Sequence, residues 1–444
     1  MIEIINPSAL KAIRILEENG YQAGLVGGCV RDMLMGNEPH DFDVTTNATP
    51  EEMKSVFKNE RLIETGIKHG TLTVLIDSEP IEITTFRVDG EYKDNRHPEN
   101  VTFSRKLVDD LERRDFTINA IYYDLDNGIV DVFGGKEDIE NGVIRAVGEP
   151  GKRFSEDALR ILRAIRFSSV LGFEIEESTK KAMLEHRHLL ANISPERVAS
   201  EINKFVVGKN VKNAILQNYE ILGQICPAFQ KMHGFNQWNR WHIYDVLEHT
   251  AVAVESAPQV LALRLAMLFH DTGKPQAFFK DENGVGHFYG HGEISAEIVK
   301  EFLDGYRYDN ATKDKVYWLV KHHDLYTEED EIVIKKRLNR IGKERFLDLV
   351  KVQRADNAAQ NPELTRMDHF DILEEMIEEI SQRSCLDLSS LAINGKDLIS
   401  IGFEADKKLG DTLHTLLQEV IENKLRNERE ALLERALELK DKPE

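Results

Sequence analysis

Residues 25–46, LVGGCVRDMLMGNEPHDFDVTT, place a glycine pair, a guanidinium and two carboxylates in one short stretch. Gly27 and Gly28 let the backbone close up under a phosphate, and the amides that follow open a helix whose dipole favours an anion. Arg31 adds a forked cation at the same place. Asp41 and Asp43 are spaced i, i+2, so on a β-strand both carboxylates share one face and Phe42 turns the other way, into a core. Two carboxylates side by side repel each other unless a divalent cation sits between them, and oxygen ligands of this kind suit magnesium. The set describes metal-assisted nucleotidyl transfer. Glycine amides and Arg31 hold a triphosphate, while metal ions on Asp41 and Asp43 activate a hydroxyl for attack at the α-phosphorus. Gly-Gly alone is a turn and D-x-D alone a solvated strand edge; GG-x-x-R-D followed closely by D-x-D is far more specific.

Three further stretches offer groups to that chemistry. Glu82 lies on PIEITTFR (80–87), an alternating segment that reads as a strand. It is a third metal carboxylate if that strand neighbours the one carrying Asp41 and Asp43, and otherwise a solvent-facing glutamate. In DDLERRDFTINAIYYD (109–124), Arg113, Arg114 and Asp115 precede an apolar stripe that reads as a helix. Arg114 there suits a triphosphate oxygen, with a surface ion pair as the alternative. In RFSEDALRILRAIRF (153–167), Ser155 is expected to cap a helix on which Asp157, Arg160, Arg163 and Arg166 recur every third residue. Each step of three falls about 60° short of a turn, so Asp157 and Arg160 can meet one flat object while Arg166 points elsewhere. Cytosine and adenine both present an exocyclic amine beside a ring-nitrogen acceptor, which a carboxylate and a guanidinium complement. Guanine and uracil present the reverse and would leave buried groups unpaired, at a cost of a few kcal/mol. Without the upstream motif, the same two residues are an ordinary helical i, i+3 ion pair.

From about residue 240 the chain turns to histidine. His242 and His249 are seven apart, which places them on one helix face, and LALRLAMLFHDTGKP delivers His270 and Asp271 at the end of an apolar helix. GHFYGHG brings His287 and His291, VKHHD brings His322 and His323, and RADNAAQ brings Asp356. Buried adjacent His and Asp at a helix end want a metal or each other. Any one such histidine is more often structural than a ligand, but the set is not easily dismissed.

The elements that must position these groups are legible in outline. Residues 8–20 read as a short helix ending at Gly20, TPEEMKSVF as a helix opened by a capping box of Thr49 and Glu52, GTLTVLI (70–76) as a sheet strand, and 88–100 as a mobile loop. Residues 361–444 are helix-rich, with a last amphipathic stretch of mixed charge that packs on the body or on a partner helix and offers no chemistry. At 444 residues the chain exceeds one ordinary core, and 41% hydrophobic with 30% charged residues is a soluble globular composition. No apolar run reaches membrane-spanning length, and MIEIINPSAL is not a signal peptide. Cys29, Cys226 and Cys385 lie far apart without C-x-x-C spacing, which points to reduced thiols in the cytosol. The net charge of −21 argues against a nucleic-acid partner, because phosphate binding leaves a basic footprint. The distribution softens that objection. Residues 143–213 hold thirteen Lys and Arg against nine Asp and Glu, a local net of +4, while acid concentrates at 327–331 and 371–379. RNA can bind such a basic band while the remainder repels it.

In this order and spacing, GGCVRD with DFD, RRDFTINA, EDALRILRAIRF and SPERVASEI resemble the class II tRNA nucleotidyltransferase and bacterial poly(A) polymerase family, over about residues 20–215. The resemblance implies an α+β chain. A polymerase-β-type nucleotidyltransferase head, a mixed sheet with helices, would span 1–142, followed by an all-α neck (143–213), a body (214–360) and a tail (361–444), the last two gripping tRNA. It implies that Gly28, Arg31 and Arg114 bind the nucleotide triphosphate, that Asp41 and Asp43 hold Mg2+, and that Asp157 and Arg160 read the incoming base with Arg163 and Arg166 supporting the nucleotide. Glu196 and Arg197 resemble the family's structural motif in the neck. Among the family's activities, full CCA addition to the tRNA 3′ end from CTP and ATP is favoured. CC-adding members have a shortened loop where residues 88–103 are intact here, GIKHGTLTV looks more like CCA enzymes than poly(A) polymerases, and there is no long basic tail. Residues 240–360 in turn resemble the HD-domain metal-dependent phosphohydrolases. That pattern nominates His249, His270, Asp271, His291, His323 and Asp356 for a second divalent transition metal, leaves the choice between His322 and His323 open, and leaves His242 and His287 over. In some CCA enzymes such a domain is a phosphatase or cyclic phosphodiesterase that would repair tRNA 3′ ends; the alternative is a helical body with a vacant or structural metal site. The rival readings are a bacterial poly(A) polymerase, an HD phosphohydrolase with a nucleotide-sensing head, and a non-catalytic RNA-binding protein. All of them predict a cytoplasmic protein without a membrane partner.

Overall fold

The computed structural model describes residues 5–90 and 101–440, and the chain divides into two compact units, Met1–Lys231 with Phe302–Tyr308 and Met232–Glu301 with Asp309–Glu444. The first unit is built on a mixed sheet. Its strands are β1 (Ala23–Val26), β2 (Val44–Thr46), β3 (Arg61–Ile63), β4 (Thr71–Ile76) and β5 (Glu79–Thr85); a separate hairpin of β6 (Arg87–Asp89) and β7 (Val101–Phe103) follows, then β8 (Ile121–Asp124) and β9 (Gly128–Asp131). The order across the seven-stranded sheet is β3-β4-β5-β2-β1-β8-β9, with β2 parallel to β5 and the other pairs antiparallel. The β4–β5 turn, Asp77 and Ser78, has φ of 52° and 71°, the two-residue hairpin geometry whose twist matches that of the strands.

Helix α1 (Pro7–Glu18) is capped by Asn6, whose Oδ1 accepts from Ser8 N at 2.7 Å, and its Ala9, Ala12, Ile13 and Leu16 stripe packs on β1, β4 and β5. Helix α2 (Gly28–Leu34) follows β1 directly, and α3 (Pro50–Val56) opens with the expected capping box of Thr49 and Glu52. Then come α4 (Leu107–Glu112) and α5 (Gly135–Asn141), followed by α6 (Pro150–Glu156), α7 (Leu159–Leu171), α8 (Glu177–His186), α9 (Pro195–Val206) and α10 (Val211–Ile225). Buried Ile161, Leu162 and Ile165 of α7 pack with Val198, Ile202 and Phe205 of α9.

Two expectations change here. Residues 153–167 are not one helix, because Asp157 leaves helical geometry at φ −138°, ψ 102° between α6 and α7. Ser155 lies inside α6, donating to Gly151 O at 2.9 Å, and Asp157 takes the capping role, its Oδ1 accepting from Leu159 N at 3.1 Å. Residues 113–123 are not a helix either: a 3-10 turn, Thr117–Asn119, leads from α4 into β8. Ile121, Tyr122 and Tyr123 are all buried, so the strand reads as a continuous apolar run that periodicity alone cannot tell from a helix. The polar loop expected over 88–100 begins with β6, while residues 91–100 lie outside those described.

The second unit is helical. Val246–Ser256, Leu261–Phe269, Asn310–His322 and Lys343–Ala358 pack on one another, and Ile334, Leu338, Phe346, Phe370, Leu373 and Ile377 form a neighbouring core. The last amphipathic stretch is two helices, Lys407–Ile421 and Arg429–Lys440, joined through Asn423 at φ 55° and closing over Leu398, Leu416 and Leu432. Among the described residues no helix is long and apolar enough to cross a membrane.

Candidate functional site

Asp41 and Asp43 lie in the extended segment that enters β2 rather than on the strand itself. The alternation holds all the same: Phe42 packs partly buried against the head core, and both carboxylates reach solvent. Val26 N donates to Asp43 O at 3.1 Å, which ties this segment to the end of β1. β5 is the parallel neighbour of β2, with Val44 opposite Ile83. One step earlier in that register, exposed Glu82 stands across from Asp43, so the strand adjacency required for a third carboxylate is met. Partial desolvation pushes the Asp43 carboxyl up, Arg114 pulls it back, and the charge of Asp41 pushes it further. A divalent cation would relieve that repulsion.

Gly27 caps α2 at φ 83°, ψ −135°. A Cβ there would stand 3.1 Å from Arg114 Nη1 and 3.9 Å from Asp43 Oδ2, so the glycine turn, the cation and the carboxylate converge. Arg114 and Arg113 both pair with the fully buried Asp110, at 3.1 and 2.6 Å. Burial raises the Asp110 carboxyl, but the two guanidinia outweigh it and hold it below the ordinary value. Arg31 is buried, donates to Asn119 Oδ1 at 2.7 Å and to Asp32 Oδ1 at 2.9 and 2.8 Å, and lies 5.2 Å from the Phe167 ring centroid.

A polar chain joins these residues to α7. Asn119 Nδ2 donates to Asp115 Oδ1 at 3.0 Å, and Arg163 reaches Asp115 Oδ2 at 2.6 Å. Burial opposes the Asp115 charge, but Arg163 and Asn119 hold the carboxyl well below the usual range. Arg166 pairs with Glu201 at 3.2 Å and lies 4.2 Å over Phe167. Asp157 and Arg160 turn to different partners: Asp157 binds Arg197 at 2.7 Å, while the buried Arg160 binds Glu156 and the carbonyl of Arg113, each at 2.8 Å. Asp157 and Arg160 make no i, i+3 ion pair with each other, because the break at Asp157 sets it outside α7 and gives each residue a partner of its own.

In the second unit four imidazoles point their Nε2 atoms inward. His249, His270, His291 and His323 each direct Nδ1 at a backbone carbonyl, those of Ala359 (3.1 Å), Met267 (2.6 Å), Phe288 (2.9 Å) and Val320 (2.7 Å). Those contacts place a proton on Nδ1 and aim Nε2 at the cluster, the arrangement that orients histidines for a metal. Their Nε2 atoms fall into two ligand groups, His249–His270–Asp271–Asp356 and Asp271–His291–His323, with Asp271 common to both. Its Oδ2 lies 3.3 Å from His249 and 3.2 Å from His270, and its Oδ1 3.4 Å from His291. Asp356 Oδ1 closes the first group at 2.8 Å from His249. His270 is buried, which opposes its charge, yet Asp271 and Asp356 raise it to about 10; burial and the neighbouring imidazoles push His323 down to about 4. A cavity of about 350 Å3 opens on His323 and Asp356.

All six nominated residues are therefore brought together, and His323 rather than His322 is the member. His322 instead stacks on Trp318 at 4.6 Å. His242 is not on a helix face with His249, since that helix starts at Val246 behind the cap Asp245; nevertheless the two rings lie 5.2 Å apart. Sequence reasoning missed Asn119, Asp110 and Lys274. Lys274 is buried and sets Nζ 2.7 Å from Asp271 Oδ2, 2.8 Å from Gln237 Oε1 and 3.2 Å from His242 Nε2. Its spacing three residues after Asp271 was the available signal.

Residues 23–145 match the family described as "Poly A polymerase head domain", residues 172–232 "Probable RNA and SrmB- binding site of polymerase A", and residues 287–436 a "tRNA nucleotidyltransferase domain 2" family. The chain is 33% identical over 425 residues to the CCA-adding enzyme of Lactobacillus helveticus, covering 96% of this chain and 95% of that one. It is 34% identical over 440 residues to the CCA-adding enzyme of Enterococcus faecalis, covering 98% and 97%. Among solved structures, the Bacillus stearothermophilus CCA-adding enzyme in complex with CTP matches with a TM-score of 0.73 at 28% identity over 98% of both chains. Likeness at this level along nearly the whole length means that the chain belongs to the family of CCA-adding enzymes.

Proposed function

We propose that this chain adds the CCA sequence to the 3′ end of tRNA, from CTP and ATP, by metal-dependent, template-independent nucleotidyl transfer. The observation that carries the reading is the convergence of Gly27, Arg114 and Asp43 in a chain matched end to end by CCA-adding enzymes. The Gly28 backbone, Arg31 and Arg114 hold the triphosphate. Asn119 and Asp110 already fix the two guanidinia, so little side-chain freedom is lost on binding. Asp41 and Asp43, with Glu82 beside them, offer only oxygen donors, which suits Mg2+. Bound there, the metal supplies charge neutralisation at the α-phosphate and a more acidic attacking hydroxyl. Asp157 and Arg160 read the incoming base by exchanging Arg197 and Glu156 for it, and Arg163 and Arg166 brace the nucleotide. The head is residues 1–142, the neck 143–213, the body 214–360 and the tail 361–444, and the protein acts in the cytoplasm. The test is extension of a tRNA lacking its 3′ end, read at single-nucleotide resolution. C, C, A and then arrest is expected; a long A ladder would instead assign poly(A) synthesis.

The inward Nε2 atoms favour a second activity, hydrolysis of phosphate esters at the histidine–aspartate cluster. Imidazole-rich donors suit a divalent transition metal, and two ligand groups sharing Asp271 suit a pair of ions. Elemental analysis of purified protein is expected to find about two such ions per chain, with turnover of a small phosphomonoester. Protein without the metals or the turnover would leave this unit a helical body.

A further inference from the structure

The hairpin of Phe279–Lys280 and Gly286–His287 carries an aromatic face that nucleotidyl transfer does not use. Phe279 stacks on His287 at 5.2 Å and 24°, and His287 on Tyr289 at 5.4 Å and 22°, making a row of three rings. Asp281 accepts from His287 Nε2 at 3.0 Å and keeps the middle ring in place. Beside the row, Trp238 is held at φ 53°, with its carbonyl accepting from Gly286 N at 2.8 Å and Lys280 Nζ 3.2 Å above its ring. A bulky residue at positive φ is strained, and here the strained backbone presents an indole to solvent. Next to it the Arg240 guanidinium lies 5.2 Å over Trp241. Tyr289 is 75% and Trp238 51% exposed, and Phe279 and Trp241 are exposed too, so core packing does not account for these rings.

The face is continuous with the histidine–aspartate cluster on two sides. From the hairpin, Phe288 O receives the Nδ1–H of His291. From the Trp238 segment, His242 meets Lys274 Nζ at 3.2 Å and packs edge-on against His249.

We propose that this face binds the unpaired 3′ end of an RNA and lays its terminal phosphate ester at the mouth of the cluster. Unpaired bases stack on aromatic faces whatever their sequence, and cations beside the rings take the backbone phosphates. Lys280 and Arg240 are those cations. A protein-binding face would instead be depleted of lysine at its centre. The fate of the ester rests on the phosphohydrolase reading above. Water gives its oxygen to phosphorus, the P–O bond to the ribose breaks, and a proton lost by that water passes to the ribose oxygen, leaving a hydroxyl and inorganic phosphate.

The test uses the full chain and a single-stranded RNA of about eight nucleotides, containing 4-thiouridine and ending in a 3′-phosphate. Photo-cross-links are expected in the peptides holding Trp238 and residues 279–289. Trp238→Ala and the largely solvent-exposed Tyr289→Ala should each weaken its Kd about tenfold and slow phosphate release from it, while hydrolysis of p-nitrophenyl phosphate and CCA addition are unchanged. Cross-links on the face in a protein that hydrolyses neither ester would uphold the RNA surface and sink the phosphohydrolase reading alone. Unchanged Kd in both variants, or cross-links confined to other peptides, would overturn the proposal and make the face a protein-binding surface.

Discussion

Asp41 and Asp43 reach solvent from an extended segment and are joined by no third described ligand at bonding distance, whereas the six ligand side chains of the second unit converge in advance, five of them buried. The first arrangement suits ions that arrive and leave with a triphosphate, whose oxygens complete the shell. The second suits resident ions, because the protein supplies both ligand groups and fixes every imidazole through its Nδ1. On the proposed reading, a transferase centre finished by its substrate and a hydrolytic centre finished by the protein differ in burial and in the hydrogen bonds that hold their side chains.

That contrast can be broken most decisively by Asp43→Ala, which should cut CCA addition by roughly a thousandfold, ~4 kcal/mol of barrier, while phosphomonoester hydrolysis and metal content persist. Asp271→Ala is the converse. Removing the ligand common to both groups should strip the bound transition metal, seen by elemental analysis, and cost about a hundredfold or more in hydrolysis, with CCA addition retained. Loss of both activities in either variant would erase the distinction.

Asp115→Ala sharpens the head side of the comparison. It leaves Arg163 and Asn119 without their buried partner, so urea unfolding should show the head destabilised by about 3 kcal/mol, and the KM for CTP should rise as Arg31 loses its support through Asn119. The acid limb of stability follows the same groups. Asp110 and Asp115 have folded pKa values below their unfolded ones, so their contribution is present above the unfolded carboxylate value, about 3.9, and is lost as pH falls through the folded one. Melting of Asp115→Ala should therefore depend less on pH in that acid range. The smallest effect belongs to His322→Ala, which removes a ring stacked on Trp318 and no ligand. It should cost about 1 kcal/mol and leave the metal in place, and loss of metal would reassign the cluster.

Local chemistry was the legible part of the sequence. Thr49 and Glu52 form the expected capping box because both partners lie within one turn, and the D-x-D alternation survives although β2 begins at Val44. The stretch after Arg114 was misread because Ile121–Asp124 is a buried strand with no polar face to betray its period. The break at Asp157 was hidden because Asp157, Arg160, Arg163 and Arg166 recur every third residue as on one helix, although Asp157 leaves helical geometry and caps α7 through Leu159 N. In the second unit residue type and order nominated the ligands, but separating His323 from His322 required knowing which ring turns inward at the end of Asn310–His322. Asn119 acts through Arg31, 88 residues away, a distance no local pattern encodes, whereas the i, i+3 pairing of Lys274 with Asp271 was open to a local reading.

The measurement that bears most directly on the central claim is extension of a tRNA lacking its 3′ end by the full-length protein with Mg2+, CTP and ATP, resolved at single nucleotides. Addition of C, C and A followed by arrest, abolished by Asp43→Ala, is the predicted result. A ladder of A residues, or unchanged extension by Asp43→Ala, would contradict it.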